Sequence, residues 1–139
     1  MTREVTVTID GLQQGDEEST VSVKATGIYH NRNGKHYIHY EESIEGGEGI
    51  TKNTIKIASN QIDIIKKGVN TSNMVFALEE STQTRYETPY GSLLLYIKTT
   101  RIQVEENSDE ILIRLHYTLS ANDGHLSDNQ VLIRVCSKN

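Results

Sequence analysis

Apolar and polar residues alternate along most of this chain with a period of two. Val5, Val7 and Ile9 are separated by threonines near the start, and residues 111–119 and 131–135 alternate in the same way near the end. This alternation predicts β-strands with one buried face, because successive side chains of a strand point to opposite sides. No apolar pattern at helical spacing continues for more than about two turns. The chain is therefore predicted to be all-β.

Turn residues separate the alternating segments into about ten strands. Asn33-Gly34 is the strongest hairpin signal, because both residues tolerate the positive φ angles of a type I′ turn. It predicts that residues 20–32 pair with residues 35–45. Residues 121–124, Ala-Asn-Asp-Gly, predict the last hairpin. Such short turns force antiparallel pairing between neighbouring strands.

Other breaks in the pattern predict bends, loops and one sharp corner. Asp10-Gly11 is expected to end the first strand, and Gly27 inside the second predicts a bulge or a barrel bend. Residues 45–49, Glu-Gly-Gly-Glu-Gly, predict a mobile loop. The only proline, Pro89, lies between two long strands and favours a sharp turn, which Gly91 can leave with a positive φ.

A meander of about ten strands with one apolar face must hide its edges. It can fold into a sandwich or close into a barrel, and closure removes the edges altogether. We therefore expect an antiparallel up-and-down β-barrel of about eight to ten strands, with a β-sandwich as the alternative. The 139 residues fit a single domain, 1–139.

Composition and charge disfavour several classes of partner. The net charge is -5 and the basic residues form no long block, so we expect no nucleic-acid partner. The longest apolar run, residues 93–97, is far shorter than the roughly 20 residues of a membrane span. The first residues alternate between polar and apolar, so we expect a first strand there and not a secretory signal. Cys136 is the only cysteine, which favours the reducing cytoplasm.

The order of short motifs along nearly the whole chain carries a family resemblance. The motifs include Thr26-Gly27-Ile28-Tyr29, Tyr37-Ile38-His39-Tyr40-Glu41-Glu42, Thr54-Ile55-Lys56-Ile57, Asn73-Met74-Val75-Phe76 and Tyr86-Glu87-Thr88-Pro89-Tyr90-Gly91. Together they resemble the YwiB-like family of small bacterial proteins of unknown function. Members of that family look like calycin-type barrels, so the resemblance implies a calycin-like barrel in a bacterial cytoplasm. It implies no activity, cofactor or catalytic residue.

Six residues are predicted to line a ligand site in the barrel mouth. Alternation places each of them on the same strand face as apolar residues, and each offers a hydroxyl, a charge or a polarisable apolar surface. They are Tyr40, Glu42, Met74, Phe76, Tyr86 and Tyr117. A hydroxyl and a carboxylate among apolar side chains can fix the polar end of a small ligand. The alternative is that Tyr40 fills the core with its hydroxyl satisfied, and that the tyrosines form ordinary cross-strand pairs.

A second polar cluster lies on the opposite face of the strand that holds Tyr40. His39 and Glu41 could act as acid and base, since histidine titrates near neutrality and a carboxylate can orient it. The alternative is a solvated face of cross-strand polar partners. The sequence contains no motif for a metal, a cofactor or a catalytic nucleophile, so none of these is expected.

The pattern as a whole favours non-enzymatic binding of a small, partly apolar molecule, because a barrel of about eight strands can enclose one such ligand. The alternative is a protein-interaction or homodimerisation module with a packed lumen. Leu94 favours that alternative, since it must face away from Leu93 and Leu95. A small hydrolase or isomerase that uses His39 and Glu41 is the third hypothesis.

Overall fold

Ten β-strands make up the fold. The structure, a computed structural model, describes residues 1–15, 18–43, 49–68, 70–122 and 124–138. The strands are β1 Glu4–Gln14, β2 Glu18–Arg32, β3 Lys35–Ser43, β4 Ile50–Ile57, β5 Gln61–Lys67, β6 Ser72–Ala77, β7 Ser81–Thr88, β8 Gly91–Glu106, β9 Glu110–Ala121 and β10 Gly124–Ser137. None of the described residues forms a helix that could cross a membrane. The predicted loop at 45–49, apart from Gly49, and Asp123 of the last predicted hairpin lie outside the described residues.

The strands form one sheet with the order β6-β5-β4-β3-β2-β1-β10-β9-β8-β7. Every neighbouring pair in this order is antiparallel. The chain is therefore an up-and-down meander in which β1 joins β10, and β6 and β7 are the two edges. The predicted antiparallel barrel is confirmed in preference to the sandwich.

The two edge strands meet and bring the barrel close to full closure. The backbone N–H of Thr71 donates to the carbonyl oxygen of Glu87 at 2.9 Å, and the N–H of Glu87 donates back to Thr71 at 2.8 Å. Nearer the β6–β7 turn, Thr82 Oγ1 donates to the carbonyl oxygen of Val75 at 2.6 Å. A side-chain hydrogen bond thus takes the place of a backbone one along the seam between β6 and β7.

Two of the predicted turns are confirmed by their backbone angles. Asn33 and Gly34 have φ angles of 54° and 78°, as a type I′ turn between β2 and β3 requires. Gly91 has a φ of 134° and pairs with Thr88 across the turn that contains Pro89. The first turn fixes the register of β2 against β3, and the second fixes that of β7 against β8.

The first strand is longer than the sequence predicts. β1 continues past Asp10, and Gly11 pairs with Val21 on β2 and with Val131 on β10. Because a strand flanks β1 on each side, the backbone groups beyond Gly11 are satisfied by both neighbours. The prediction that Asp10-Gly11 ends the strand is therefore wrong.

Gly27 lies where the pairing of β2 with β1 nears its end and the pairing of β2 with β3 begins. It pairs with Val5 on β1 and with Tyr40 on β3. A Cβ at this position would lie 2.9 Å from the carbonyl oxygen of His39 and 3.1 Å from Val7 Cγ2. Only glycine allows so close an approach. The strand register continues through Gly27 without a bulge, and the predicted barrel bend stays a prediction.

Apolar side chains fill the barrel at one end. Thirteen of them are at most 2% exposed: Val5, Val7, Ile38, Ile55, Ile57, Ile62, Phe76, Ile97, Ile111, Ile113, Leu115, Ile133 and Val135. Most lie where odd-numbered strands begin and even-numbered strands end. We call this end of the barrel the closed end. The opposite end, where each odd-numbered strand connects to the next, is the mouth.

Candidate functional site

Toward the mouth, the inner face of the barrel becomes polar. Seven polar residues there are at most 9% exposed: Thr51, Asn53, Ser72, Thr84, Thr99, Ser127 and Asn129. They occupy inward positions, because they are in phase with apolar residues of the inner face, as Asn53 is with Ile55 and Thr99 is with Ile97. We call this set the polar half of the lumen. It is the most concentrated group of buried polar side chains in the described residues.

Three buried polar atoms in this half have no hydrogen-bond partner among the described residues. They are Asn53 Oδ1, Thr84 Oγ1 and Thr99 Oγ1. The Asn53 amide nitrogen donates to the carbonyl oxygen of Thr51 at 3.3 Å, which orients the side chain. A buried polar atom left unpaired costs about 1–3 kcal/mol. Such atoms are rare in folded proteins, so they identify the polar half as a candidate binding surface.

Glu42 and Lys66 form an ion pair at the rim of the polar half. Lys66 Nζ lies 3.4 Å from Glu42 Oε1, and the two side chains are 36% and 30% exposed. Lys66 pairs in register with Asn53 and with Ser72, which places it on the same inner face. Because the two charges compensate each other, this pair adds hydrogen-bonding groups to the mouth without adding net charge.

Tyr40 and Tyr117 keep their phenolic protons at neutral pH. Burial raises the pKa of Tyr40, and the Glu42 carboxylate raises it further. Burial also raises the pKa of Tyr117. Tyr40 pairs in register with Asn53, and Tyr117 pairs with Thr99. The polar half therefore adjoins two phenols that are neutral groups able to donate hydrogen bonds.

All six residues predicted to line the lumen lie on the inner face. Tyr40 and Phe76 are buried, and the other four are half-buried: Glu42, Met74, Tyr86 and Tyr117. Phe76 packs against Tyr117 with ring centroids 4.8 Å apart, at the junction of the apolar and polar halves. Their contact with a ligand stays a prediction.

Sequence reasoning missed the three residues with unpaired atoms. The signal lay in the alternation, since Asn53 is in phase with Ile55 and Thr99 is in phase with Ile97. A polar residue in phase with apolar neighbours on a strand is the pattern that identifies such positions.

Two clefts contain residues of the polar half or next to it. A cleft of about 190 Å³ is lined by Tyr117 and Asn129, with β1 and β2 on its other side. A cleft of about 430 Å³ follows the seam between β6 and β7 and is lined by Ser72 and Thr84. The clefts thus reach Ser72, Thr84, Tyr117 and Asn129, whereas Asn53 and Thr99 line neither of them and are each 1% exposed.

His39 and Glu41 lie on the outer face of β3. His39 Nδ1 is 3.0 Å from Thr54 Oγ1, and its ring stacks on that of His30 with centroids 5.2 Å apart. Burial lowers the pKa of His39, and His30 lowers it further. No hydrogen bond or ion pair joins His39 to Glu41 in the part of the chain that the structure describes. In the same part, no group of three or more His, Cys, Asp or Glu side chains is arranged to hold a metal ion.

Comparisons with known proteins give a family and a fold. A family model described as "Domain of unknown function (DUF1934)" matches residues 5–133. No curated protein matches the chain. Among solved structures, the chain is similar to "Crystal structure of ywiB protein from Bacillus subtilis", with a TM-score of 0.86 and 20% sequence identity. That similarity covers 100% of this chain and 96% of the other, and at this identity it establishes the fold alone.

Proposed function

The chain belongs to the DUF1934 family, whose description names no activity. We propose that it binds a small, partly apolar molecule in the polar half of the lumen. A barrel of about eight strands is just wide enough to hold one small ligand. We propose the cytoplasm as its setting, supported by Cys136, the only cysteine, which is free.

The observation that carries the proposal is the set of unpaired atoms on Asn53, Thr84 and Thr99. Ligand pockets are mostly apolar and contain a few polar groups that fix orientation. A ligand hydroxyl, carbonyl or amide hydrogen-bonded to these atoms would remove the cost of burying them unpaired. Because the three residues lie on β4, β7 and β8, one ligand would contact separate parts of the barrel wall.

The charges of the site favour an uncharged polar group on the ligand. Glu42 and Lys66 compensate each other, and Tyr40 is held in its neutral form. The apolar part of the ligand would face Met74 and Phe76, which continue the inner face toward the closed end. The proposed ligand is therefore amphiphilic, with an uncharged polar end and an apolar body.

Native mass spectrometry of freshly purified protein is the direct test. We expect an added mass on the monomer that disappears when the protein is denatured. Thr84→Val with Thr99→Val removes two hydroxyls at nearly constant shape and should lower the ligand-bound fraction at least about tenfold. Thr8→Val, an outward-facing threonine on β1, is the matched control and should retain the ligand.

Two results would contradict the proposal. One is a protein of bare mass that takes up no molecule from an extract of its host. The other is a bound molecule that the Thr84→Val and Thr99→Val double variant retains as fully as Thr8→Val does.

A second candidate function is a protein-interaction or homodimerisation module, and the exposed apolar rim of the mouth favours it. Six large apolar side chains are exposed there: Val21, Ile50, Tyr90, Leu93, Leu94 and Leu126. Each belongs to the beginning of an even-numbered strand or to the turn before it. An apolar patch on a soluble surface can mark a protein contact.

Sedimentation velocity over a range of protein concentrations tests this candidate. This candidate predicts a concentration-dependent dimer that Tyr90→Ser with Leu94→Ser weakens. Leu78→Ser is the matched control, because Leu78 is 49% exposed but lies at the closed end. A monomer at every concentration would count against the homodimer.

A further inference from the structure

The outer face of the barrel carries a groove near the mouth, and it shares four lining residues with the smaller cleft at Tyr117 and Asn129: Gly11, Leu12, Val21 and Val131. It has a volume of about 590 Å³ and crosses β8, β9, β10, β1 and β2. Arg101, Arg114 and His116 form one wall, and Leu12 and Leu132 form the floor. We call this the outer groove. The side chains of Arg101, Arg114, His116, Leu12 and Leu132 are out of phase with the buried core positions of their strands.

Strand register fixes the layout of the outer groove. Arg114 pairs with Leu132, and Leu132 pairs with Asp10. Because neighbouring strands lie about 4.8 Å apart, the backbones at Arg114 and Asp10 are about 10 Å apart with Leu132 between them. Arg101 pairs with His116 on the adjacent rung. The groove thus has a cationic wall, an apolar floor and one carboxylate on the far wall.

The two arginines of the groove are not neutralised. Neither forms an ion pair within the residues that the structure describes. Arg101 Nη2 donates to Gln103 Oε1 at 2.7 Å, which orients the guanidinium without cancelling its charge. The one carboxylate of the groove, Asp10, accepts a hydrogen bond from Ser22 Oγ at 2.8 Å.

Two unpaired positive charges on neighbouring strands repel each other. Gln103 pairs with Arg114 and lies two residues from Arg101 on β8, so the arginines are diagonal neighbours at about 7–8 Å. The chain as a whole carries a net charge of -5, so the two neighbouring arginines are opposite in sign to the net charge of the chain. An anion between the two side chains would relieve the repulsion.

We propose that the outer groove binds a small organic anion with an apolar body. A guanidinium forms paired hydrogen bonds with carboxylate or phosphate oxygens, and two guanidiniums can hold one such group from two sides. The apolar body packs on Leu12 and Leu132, and a donor on the ligand can reach Asp10. This ligand carries a charge, whereas the polar end of the ligand proposed for the lumen is uncharged, so the two proposals predict different ligands.

The anionic fluorophore 8-anilinonaphthalene-1-sulfonate and its neutral analogue N-phenyl-1-naphthylamine are the probes for this site. We expect the sulfonate to bind with an affinity that falls as salt is added. Arg101→Gln with Arg114→Gln should raise its dissociation constant about tenfold or more. Arg32→Gln with Lys35→Gln removes two exposed positive charges at the β2–β3 turn and should change the constant less than about twofold.

The neutral probe and nuclear magnetic resonance separate this site from other binding surfaces. Affinity for N-phenyl-1-naphthylamine should be the same in the wild type and the Arg101→Gln/Arg114→Gln variant. Amide shifts caused by the sulfonate should centre on Arg114, His116 and Leu132. The proposal is overturned if the sulfonate does not bind, if both double variants weaken it equally, or if the shifts centre on Thr84 and Thr99. The last result would place the probe in the lumen.

Discussion

His36 Nε2 lies 2.8 Å from Glu106 Oε2, and this contact joins β3 to β8 across the closed end of the barrel. The two strands are not neighbours in the sheet, where β2, β1, β10 and β9 separate them. On its other side, His36 Nδ1 lies 2.6 Å from the hydroxyl of Tyr29. With the phenol donating to Nδ1, Nε2 carries the proton that is donated to Glu106. Both ring nitrogens of His36 are therefore engaged.

We predict that this contact stabilises the closed end. Glu106→Ala should lower the free energy of unfolding by about 1 kcal/mol, because the His36 side chain is only 17% exposed and loses a hydrogen-bond partner. In a double-mutant cycle with His36→Ala, the coupling energy should be about 0.5–1.5 kcal/mol. Urea denaturation measures both quantities. Glu105→Ala, on the outer face, is the control, and a coupling energy near zero would show that the contact contributes nothing.

Two glycines inside strands should respond in opposite ways to alanine. At Gly27 a Cβ would lie 2.9 Å from the His39 carbonyl oxygen, so Gly27→Ala should lower stability by about 1–3 kcal/mol. At Gly11 the nearest atoms would be 3.9 Å away, so Gly11→Ala should raise stability by about 0.4–1 kcal/mol through the unfolded state. Thermal unfolding of the two variants measures both changes in stability. If Gly27→Ala is as stable as the wild type, β2 and β3 do not approach each other as closely as described.

Much of the fold could be predicted because its signals are local. The alternation and the turn at Asn33-Gly34 predict strands, antiparallel pairing and one register within a few residues of sequence. The YwiB-like resemblance is confirmed by the family match and by the structural similarity. The length of β1 could not be predicted from Gly11 alone, because it depends on pairing with two other strands. β2 follows β1 after a turn, and β10 is distant in sequence.

The long-range contacts were beyond local patterns. His36 and Glu106 are 70 residues apart, and they meet only because the barrel closes with a particular strand order. The outer groove likewise depends on β10 lying between β9 and β1, which alternation does not specify. The buried polar set is an intermediate case. Its inward positions follow from alternation, but the absence of partners for Thr84 and Thr99 depends on the whole barrel.

Ligand-free protein should become more stable when an unpaired lumen hydroxyl is replaced. Thr99 is 1% exposed and its Oγ1 has no partner among the described residues, so Thr99→Val should raise the free energy of unfolding by about 1 kcal/mol. Chemical denaturation of protein refolded without ligand gives the value. Thr8→Val on the outer face is the reference. A loss of stability in Thr99→Val alone would mean that its hydroxyl is satisfied within the protein.

The last prediction concerns alkaline pH and the phenols of Tyr40 and Tyr117. Burial raises the pKa of both, so in the native protein they should ionise later than free tyrosine, whose pKa is about 10. Above that pH the unfolded chain releases these two protons while the folded chain retains them. The stability that they contribute is therefore complete below about pH 10 and is lost as the pH rises toward the folded pKa values.

The ultraviolet absorbance of tyrosinate follows this ionisation directly. Of the seven tyrosines, Tyr40 and Tyr117 should belong to a late phase that Tyr40→Phe and Tyr117→Phe each reduce. In concentrated guanidinium chloride the late phase should vanish, because burial is its cause. Each variant should also lose less stability than the wild type between about pH 10 and pH 12. If both variants keep the full late phase, the two phenols are open to solvent and the polar half of the lumen is wet in the native state.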